Sequence, residues 1–194
     1  MKNKILILTV IIITIIIINS PNILSQDQQQ TGTYTYIYMI NDDGVNNVTI
    51  IYNSPKDEGD SWLLVPKNFT TYKIEILKGE ITDSNIKQAY TESGEAFVFY
   101  NNFTFNYQSK HNFKLKITYT MDNGAIIVEP KCFFYSPQIY YKPTERATAE
   151  VCMSNYVEID PKKIMPSATK IDHEKTGYKI TIDLPTNIAR IAIE

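Results

Sequence analysis

The chain has 194 residues and a formal net charge of −2, from 19 Lys and Arg residues against 21 Asp and Glu residues. Lysine and glutamate alternate along it, so it lacks the basic stripe that a nucleic-acid surface needs to displace counterions from phosphates. We therefore expect no nucleic-acid partner. The length suits one domain with a real hydrophobic core, although two smaller sandwiches meeting near Pro130 are an alternative.

The first residues have the three parts of a secretory signal peptide. A basic start, Met1 to Lys4, precedes an apolar run from Ile5 to Ile18 that only two threonines interrupt. A spanning helix needs about 20 apolar residues, so cleavage after Ser25 is favoured over a permanent anchor. We predict a signal peptide at 1–25, a polar linker at 26–32 and an extracellular or cell-surface location, with the membrane involved only if cleavage fails.

The first predicted strand, Thr33 to Ile40, alternates side chains with the period of two that a β-strand imposes. Nine later segments repeat this alternation, and turn signals separate them, notably Asp43-Gly44, Asn123-Gly124 and Thr176-Gly177. Asn123-Gly124 is typical of a type I′ turn and predicts a hairpin between the segments on either side. Asp83 to Tyr90 is the one stretch predicted as a short helix.

The pattern predicts an all-β fold for residues 33–194, an antiparallel β-sandwich of Ig-like type, with an open barrel as the alternative. Alternation also assigns one face of each strand to the core. The expected core residues are Ile50, Trp62, Leu64, Ile74, Ile76, Phe97, Phe99, Phe113, Leu115, Ile117, Ile127 and Ile182.

Tyr34, Tyr36 and Tyr38 share one face of the first predicted strand. A tyrosine offers a flat apolar ring with a polar tip, so this stripe is a candidate stacking platform for a sugar. The alternative is ordinary packing against neighbouring strands, which we favour.

The two cysteines, Cys132 and Cys152, lie in consecutive predicted strands. If the chain is exported, a structural disulfide is favoured over two free thiols, because oxidising compartments preserve such bonds. Closing a loop of this size contributes about 3 kcal/mol in the loop-entropy model. The spacing is not the C-x-x-C of a redox pair, and two thiols alone do not make a metal site.

If the chain is exported, its three N-x-[ST] motifs match the acceptor pattern for N-glycosylation. They begin at Asn47, Asn68 and Asn102. They are candidate glycosylation sites on solvent-facing positions. The alternative is that they are plain strand or turn residues, because so short a motif occurs often by chance.

No catalytic signature emerges from the sequence. The two histidines, His111 and His173, are in no zinc-binding spacing, and the chain has no G-x-S-x-G elbow and no phosphate loop. The acidic turns at Asn41 to Gly44 and Lys56 to Asp60 are candidates for Ca²⁺ ligands, with plain solvated turns favoured. A hydrolytic carboxylate pair could be drawn from Asp42, Asp43, Asp57 or Glu58. We expect no metal, no cofactor and no enzymatic activity.

Three segments carry a family resemblance: SWLLVPKNFTTY from Ser61, AIIVEPKCFFYSPQI from Ala125, and the closing ITIDLPTNIARIAIE. Together they resemble the non-catalytic β-rich region that precedes the zinc domain in secreted gluzincin-type metallopeptidases. The H-E-x-x-H motif of that family is absent, so no catalytic residue is carried over. The resemblance implies an accessory domain in an exported architecture, with an exposed apolar patch where a partner packs.

The favoured function is therefore a secreted or cell-surface module that acts in binding or structure and has no catalytic site of its own. Its expected partner is another surface or secreted protein, or a glycan. The alternatives are an accessory domain of an exported metallopeptidase and a carboxylate-dependent hydrolase.

Overall fold

The structure, a computed structural model, describes residues 31–67, 72–91, 93–185 and 190–194. The predicted signal peptide, most of the predicted linker and the Asn68 motif lie outside these residues. Within the described residues, one 3₁₀ turn forms at Pro161–Lys163.

The described chain is 66% β-strand, because β-branched and aromatic residues recur at alternate positions. In chain order, the described residues form β1 (Thr33–Ile40), β2 (Asn46–Ser54), β3 (Glu58–Pro66), β4 (Lys73–Lys78), β5 (Glu80–Tyr90), β6 (Ala96–Gln108), β7 (Phe113–Met121), β8 (Ala125–Val128), β9 (Lys131–Tyr135), β10 (Arg146–Ser154), β11 (Ile164–Met165), β12 (Lys170–Glu174), β13 (Gly177–Leu184) and β14 (Ala192–Ile193).

Seven strands form the largest sheet, in the order β12-β13-β10-β1-β2-β7-β4. β1 is central: it runs antiparallel to β2 and parallel to β10, with Tyr36 opposite Ile50 and Ala149. This position explains its alternation, because its tyrosines face the core and the residues between them face outward.

Two smaller sheets cover the inner face of the large sheet. One has the order β3-β6-β5 and the other β11-β14-β9-β8. The ring of Tyr52 lies 5.3 Å from that of Phe105 in the first, and the ring of Tyr38 lies 5.3 Å from that of Phe134 in the second. One hydrophobic core thus joins all three sheets. The prediction of an all-β, sandwich-like fold is confirmed.

The turn predictions have mixed outcomes. Asp43-Gly44 joins the antiparallel pair β1 and β2, and Thr176-Gly177 lies at the turn between β12 and β13, as predicted. The hairpin predicted at Asn123-Gly124 is wrong. Only Asn123 has a positive φ there, and the flanking strands do not pair: β7 pairs with β2 and β4, whereas β8 pairs with β9. The turn carries the chain from one layer of the sandwich to the other.

The short helix predicted at Asp83 to Tyr90 is also wrong, because this stretch is part of β5. Its residues pair with β6 along the whole segment, so the sheet overrides the local preference. Most residues of this segment are exposed on both faces of the sheet, so the sequence carries no alternation of apolar and polar residues there.

Most of the predicted core residues contact the core. Ile50, Leu64, Phe113, Leu115, Ile117 and Ile182 are buried. Trp62, Ile74, Phe97 and Ile127 are only partly buried. Ile76 and Phe99 are exposed, which corrects the prediction for both. Ile76 lies on the edge strand β4 beside a β-bulge, and Phe99 lies in the first half of β6, before its buried alternation begins.

Two glycines with similar backbones offer a test of this packing. Gly44 and Gly94 have φ values of +80° and +84°. A Cβ on Gly44 would lie 2.4 Å from the carbonyl oxygen of Ala125, whereas a Cβ on Gly94 would meet nothing within 4 Å. We expect Gly94→Ala to cost about 1 kcal/mol of unfolding free energy and Gly44→Ala about 1–3 kcal/mol more. Urea denaturation measures both, and equal losses would contradict this packing of the β1–β2 turn.

Candidate functional site

The tyrosine stripe is not a binding platform. Tyr34, Tyr36 and Tyr38 are all buried against the two smaller sheets, so the sugar-stacking candidate is wrong and the favoured packing alternative is correct. Burial raises the pKa of all three hydroxyls well above the ordinary tyrosine value. Their polar tips consequently need partners inside the core.

A buried carboxylate, Glu145, is linked to one of these tyrosines, Tyr34, through Ser61. Tyr52 donates a hydrogen bond to Glu145 Oε1 at 2.7 Å, and Ser61 donates to Glu145 Oε2 at 2.5 Å. The Tyr34 hydroxyl in turn lies 2.7 Å from Ser61 Oγ. Gly32 packs on this group, since a Cβ there would fall within 3 Å of both Tyr52 and Glu145. We call Glu145, Tyr52, Ser61 and Tyr34 the Glu145 cluster.

The sequence did not reveal this cluster, because nothing distinguishes Glu145 from the other acids of the chain. Burial raises the pKa of its carboxyl, while the hydrogen bonds from Ser61 and Tyr52 act in the opposite direction. Glu145 is 6% exposed, and it lines none of the grooves described below. The cluster therefore satisfies buried polar groups and ties β2, β3 and the start of β10 together.

We expect Glu145→Ala to destabilise the protein by about 2–4 kcal/mol, because it leaves two buried hydroxyl donors without their acceptor. Glu150→Ala is the matched control. Glu150 lies on the outer face of β10 in an ion pair with Lys179, and such a partly exposed pair contributes about 0–1 kcal/mol. Thermal unfolding of both variants measures the difference, and similar losses would show that the cluster is not structural.

The two acidic turns lie at opposite ends of β2. Asp42 and Asp43 precede it, whereas Asp57 and Glu58 follow it. Nine strand residues place the two turns about 27 Å apart, and hydrolytic carboxylate pairs are about 5–10 Å apart. A pair drawn from both turns is therefore ruled out. Within its own turn, Asp43 accepts a hydrogen bond from the backbone of Val45 at 3.0 Å.

Both cysteines are free thiols, so the predicted disulfide is not formed in this structure. The alternation of the strands explains why. Cys152 lies between the buried residues Val151 and Met153 of β10 and faces outward, whereas Cys132 on β9 faces the core beside Phe134. The two thiols thus lie on opposite sides of the large sheet, with Cys132 on the four-stranded sheet that covers its inner face. Burial raises the pKa of Cys132 to about 11 and also raises that of Cys152.

The thiols should therefore differ in reactivity. We expect a maleimide at neutral pH to modify the half-buried Cys152 at least about 100-fold faster than the buried Cys132, which should react only on unfolding. Mass spectrometry of Cys132→Ser and Cys152→Ser variants assigns each rate. If neither thiol of the unfolded wild type reacts until a reductant is added, the disulfide predicted from the sequence exists after all.

Two of the candidate glycosylation sites are within the described residues. Asn47 is exposed on β2, and its Oδ1 accepts a hydrogen bond from Thr120 at 3.0 Å. Asn102 is half-buried on β6, and its Oδ1 has no hydrogen-bond partner among the described residues. Asn47 is therefore the better placed of the two for a glycan, which stays a prediction.

Neither histidine belongs to a metal-binding group among the described residues. His111 is exposed in the turn before β7, and the ring of His173 stacks on that of Tyr178 with centroids 4.5 Å apart. Across residues 31–67, 72–91, 93–185 and 190–194, no group of three or more His, Cys, Asp or Glu side chains is arranged to hold a metal ion. Over the same ranges no helix is long and apolar enough to cross a membrane.

The outer faces of the large sheet and of the four-stranded sheet differ sharply in polarity. The large sheet turns threonines outward from five strands: Thr35, Thr49, Thr118, Thr148 and Thr181. The four-stranded sheet instead turns large apolar side chains outward. Those that are more than half exposed are Met165 (67%), Ile126 (63%), Val128 (61%) and Tyr135 (55%).

These apolar side chains form one continuous surface, which we call the apolar face. Met165 lies opposite Ala192, and Ala192 lies opposite Tyr135. Phe133 is two residues before Tyr135 on β9, so it shares the same face. It is half-buried and lies opposite Ile126 of β8. Charged residues border the face, with Lys131 opposite Val128 and with Glu194 accepting a hydrogen bond from the Tyr135 hydroxyl at 2.5 Å.

The apolar face continues into a groove of about 310 Å³ beside Tyr135. Phe99 and Tyr100 of β6 form its opposite wall, and Phe99 is 61% exposed. Arg190 adds a cationic group at the rim. The groove extends the apolar face onto the neighbouring three-stranded sheet.

The sequence indicates this apolar face, although the core prediction did not use that indication. Segments Ile126 to Val128 and Cys132 to Tyr135 are apolar at consecutive positions rather than at alternate ones. A strand with one solvated face alternates, so a strand that is apolar at both parities indicates two covered faces. Only Ile127 of these residues was assigned to the core.

A second, wider groove of about 790 Å³ lies at one end of the large sheet, where β1 and β10 both end. Exposed Tyr156 and Met39 contribute apolar surface, and Asn41, Asp42 and Glu174 contribute polar groups. Its volume is within the range of small-molecule sites.

Comparison with known proteins identifies no family. No family model and no curated protein sequence matches the chain. Among solved structures, an M1 zinc metallopeptidase from Deinococcus radiodurans bound to a Tyr-Ser-Ala substrate is similar, with 10% identity and a TM-score of 0.36 over 85% of this chain. A Legionella pneumophila protein proposed to bind nutrients is similar over the same share, with 8% identity and a TM-score of 0.38.

The chain spans 43% of the M1 peptidase chain and 67% of the Legionella chain. The resemblance to zinc metallopeptidases that was inferred from the sequence is thus also found by comparison of structures, as a weak one.

Proposed function

We propose that this chain is an exported, secreted or cell-surface module without a catalytic site of its own, and that it acts by docking another protein on its apolar face. The observation that carries the proposal is the exposed apolar sheet surface around Ile126, Val128, Tyr135 and Met165. Contiguous exposed apolar patches on soluble proteins are typically interaction sites.

The composition of the face favours a protein partner. Interface cores are enriched in aromatic residues and methionine, and their rims are polar. Here Phe133 and Tyr135 lie on the inner strand β9 and Met165 lies on the edge strand β11, while Lys131 and Glu194 lie at the border. The adjoining groove with Phe99 offers a recess for a protruding partner side chain.

The threonine-rich outer face of the large sheet supports the same assignment by contrast. Both faces belong to the same protein and meet the same solvent, so a generally apolar surface does not explain the difference. One sheet is outwardly polar because water covers it, and we infer that the other is outwardly apolar because a partner covers it.

Two kinds of partner fit this surface. One is an independent surface protein, and the other is the catalytic domain of an exported metallopeptidase, for which the chain would be an accessory domain. A glycan is a separate possibility that the wide groove with Tyr156 favours, because a tyrosine ring beside amide and carboxylate groups suits a sugar. A hydrolase built on both acidic turns is not supported, because they lie at opposite ends of β2.

The protein-docking proposal is tested with the double variant Ile126→Lys/Val128→Lys. We expect it to lose capture of specific proteins from the surface and secreted fractions of the producing cells, because two charges would be buried in the interface. The matched control is Thr118→Lys/Thr148→Lys, which adds the same charge to the polar face of the large sheet and should retain capture.

Both variants should keep the unfolding temperature of the wild type within a few degrees, since all four positions face outward. Cross-linking mass spectrometry of the captured complex should place the partner on β8, β9 and β11. If the two double variants behave alike, or if the cross-links lie on the large sheet, the apolar face is not the docking surface.

A further inference from the structure

The outermost strand of the three-stranded sheet, β5, has one free edge. β6 pairs with it on one side, and no strand pairs with it on the other among the described residues. It has eleven residues, of which Asp83 to Gln88 pair with β6 without irregularity, and the free side of this segment carries a row of unpaired backbone groups. An exposed edge of this length is a template for pairing with another strand.

The other sheet edges are less suited to pairing. β8, β11 and β12 have four, two and five residues. β4 has six, and its central Glu75 is held by Lys73 and Lys116. The edge of β3 is covered, because Leu63 bridges Tyr141 and the Leu64 amide donates to the carbonyl of Tyr140 at 3.0 Å.

β5 also differs in its charges. Lys170 and Asp172 on β12 pair with each other at 2.8 Å. On β5, by contrast, Asp83 and Lys87 are exposed, and neither forms a salt bridge within the described residues. Both lie in the regular segment between the two irregularities of the strand, opposite Asn106 and Asn102 of β6, and so share one face of the sheet.

The positions of these charges make the strand complementary to itself. Asp83 and Lys87 are each two residues from Asn85. If two copies of β5 pair antiparallel about Asn85, each Asp83 lies opposite Lys87 of the other copy, and two cross-strand ion pairs form by symmetry. We propose that the free edge of β5 binds a second copy of this chain in this register and joins two three-stranded sheets into one.

The opposite face of β5 fits the same register. Ile86 and Ser84 lie opposite the buried Phe103 and Phe105, yet Ile86 is 39% exposed. In the proposed pairing each Ile86 faces Ser84 of the other copy, and the two Ile86 residues are diagonal neighbours about 7–8 Å apart. Their side chains would cover each other and extend the core across the dimer axis.

Charge reversal tests the register. Sedimentation equilibrium of the purified wild type should show a monomer–dimer equilibrium that weakens with added salt. Asp83→Lys and Lys87→Asp should each weaken dimerisation at least about tenfold, because each places like charges opposite one another at both symmetric positions. The double variant Asp83→Lys/Lys87→Asp should recover the wild-type affinity, and the two single variants should dimerise with each other when mixed.

Asp172→Lys on β12 is the matched control and should leave dimerisation unchanged. A wild type that stays monomeric at every concentration would overturn the proposal, and so would a dimer that neither single reversal weakens. The variant Ile126→Lys/Val128→Lys separates this proposal from the docking function, since it should still dimerise. If only that variant abolishes the dimer, the copies meet through the apolar face and β5 is not the interface.

Discussion

The structure depends on the burial of one tyrosine-rich sheet face. β1 and β2 turn Tyr34, Tyr36, Tyr38 and Tyr52 toward the two smaller sheets, whose own aromatic residues contact them. Each such ring removes a large apolar area from water, which is the main favourable contribution to folding. A phenylalanine core would do the same, so the hydroxyl groups are what make this core distinctive.

Buried hydroxyl groups impose a second requirement, because an unpaired one costs free energy. The fold meets it for several of these groups: Tyr34 lies within hydrogen-bond distance of Ser61, Tyr52 donates to Glu145, and the Tyr107 hydroxyl donates to Ser54 Oγ at 2.6 Å. The buried Tyr36 hydroxyl has no hydrogen-bond partner among the described residues. The need of these hydroxyl groups for an acceptor explains why a carboxylate is buried in the core. Glu145 accepts hydrogen bonds from Tyr52 and Ser61, and it lines neither the groove beside Tyr135 nor the wider groove with Tyr156.

The sequence predicted the fold class and most strands, because alternation of side chains is a local property. It failed where pairing is not local. Asn123-Gly124 has hairpin chemistry, yet β7 and β8 belong to different sheets. Cys132 and Cys152 lie in consecutive strands, yet they face opposite ways. Hydrogen bonds of the Glu145 cluster join residues up to 93 positions apart, and no sequence spacing could reveal them.

The apolar face was predictable in part, because a partner was expected to leave an exposed patch and β8 and β9 are apolar at both parities. Its location required the sheet order. The face belongs to the four-stranded sheet, whereas the free edge of β5 belongs to the three-stranded sheet. A dimer formed through β5 would leave both apolar faces open, so one dimer would present two docking surfaces. If both docking surfaces of one dimer bind the same partner surface, the dimer binds that surface more tightly than one docking surface would. Each apolar face could then bind its partner weakly and the dimer would still be retained.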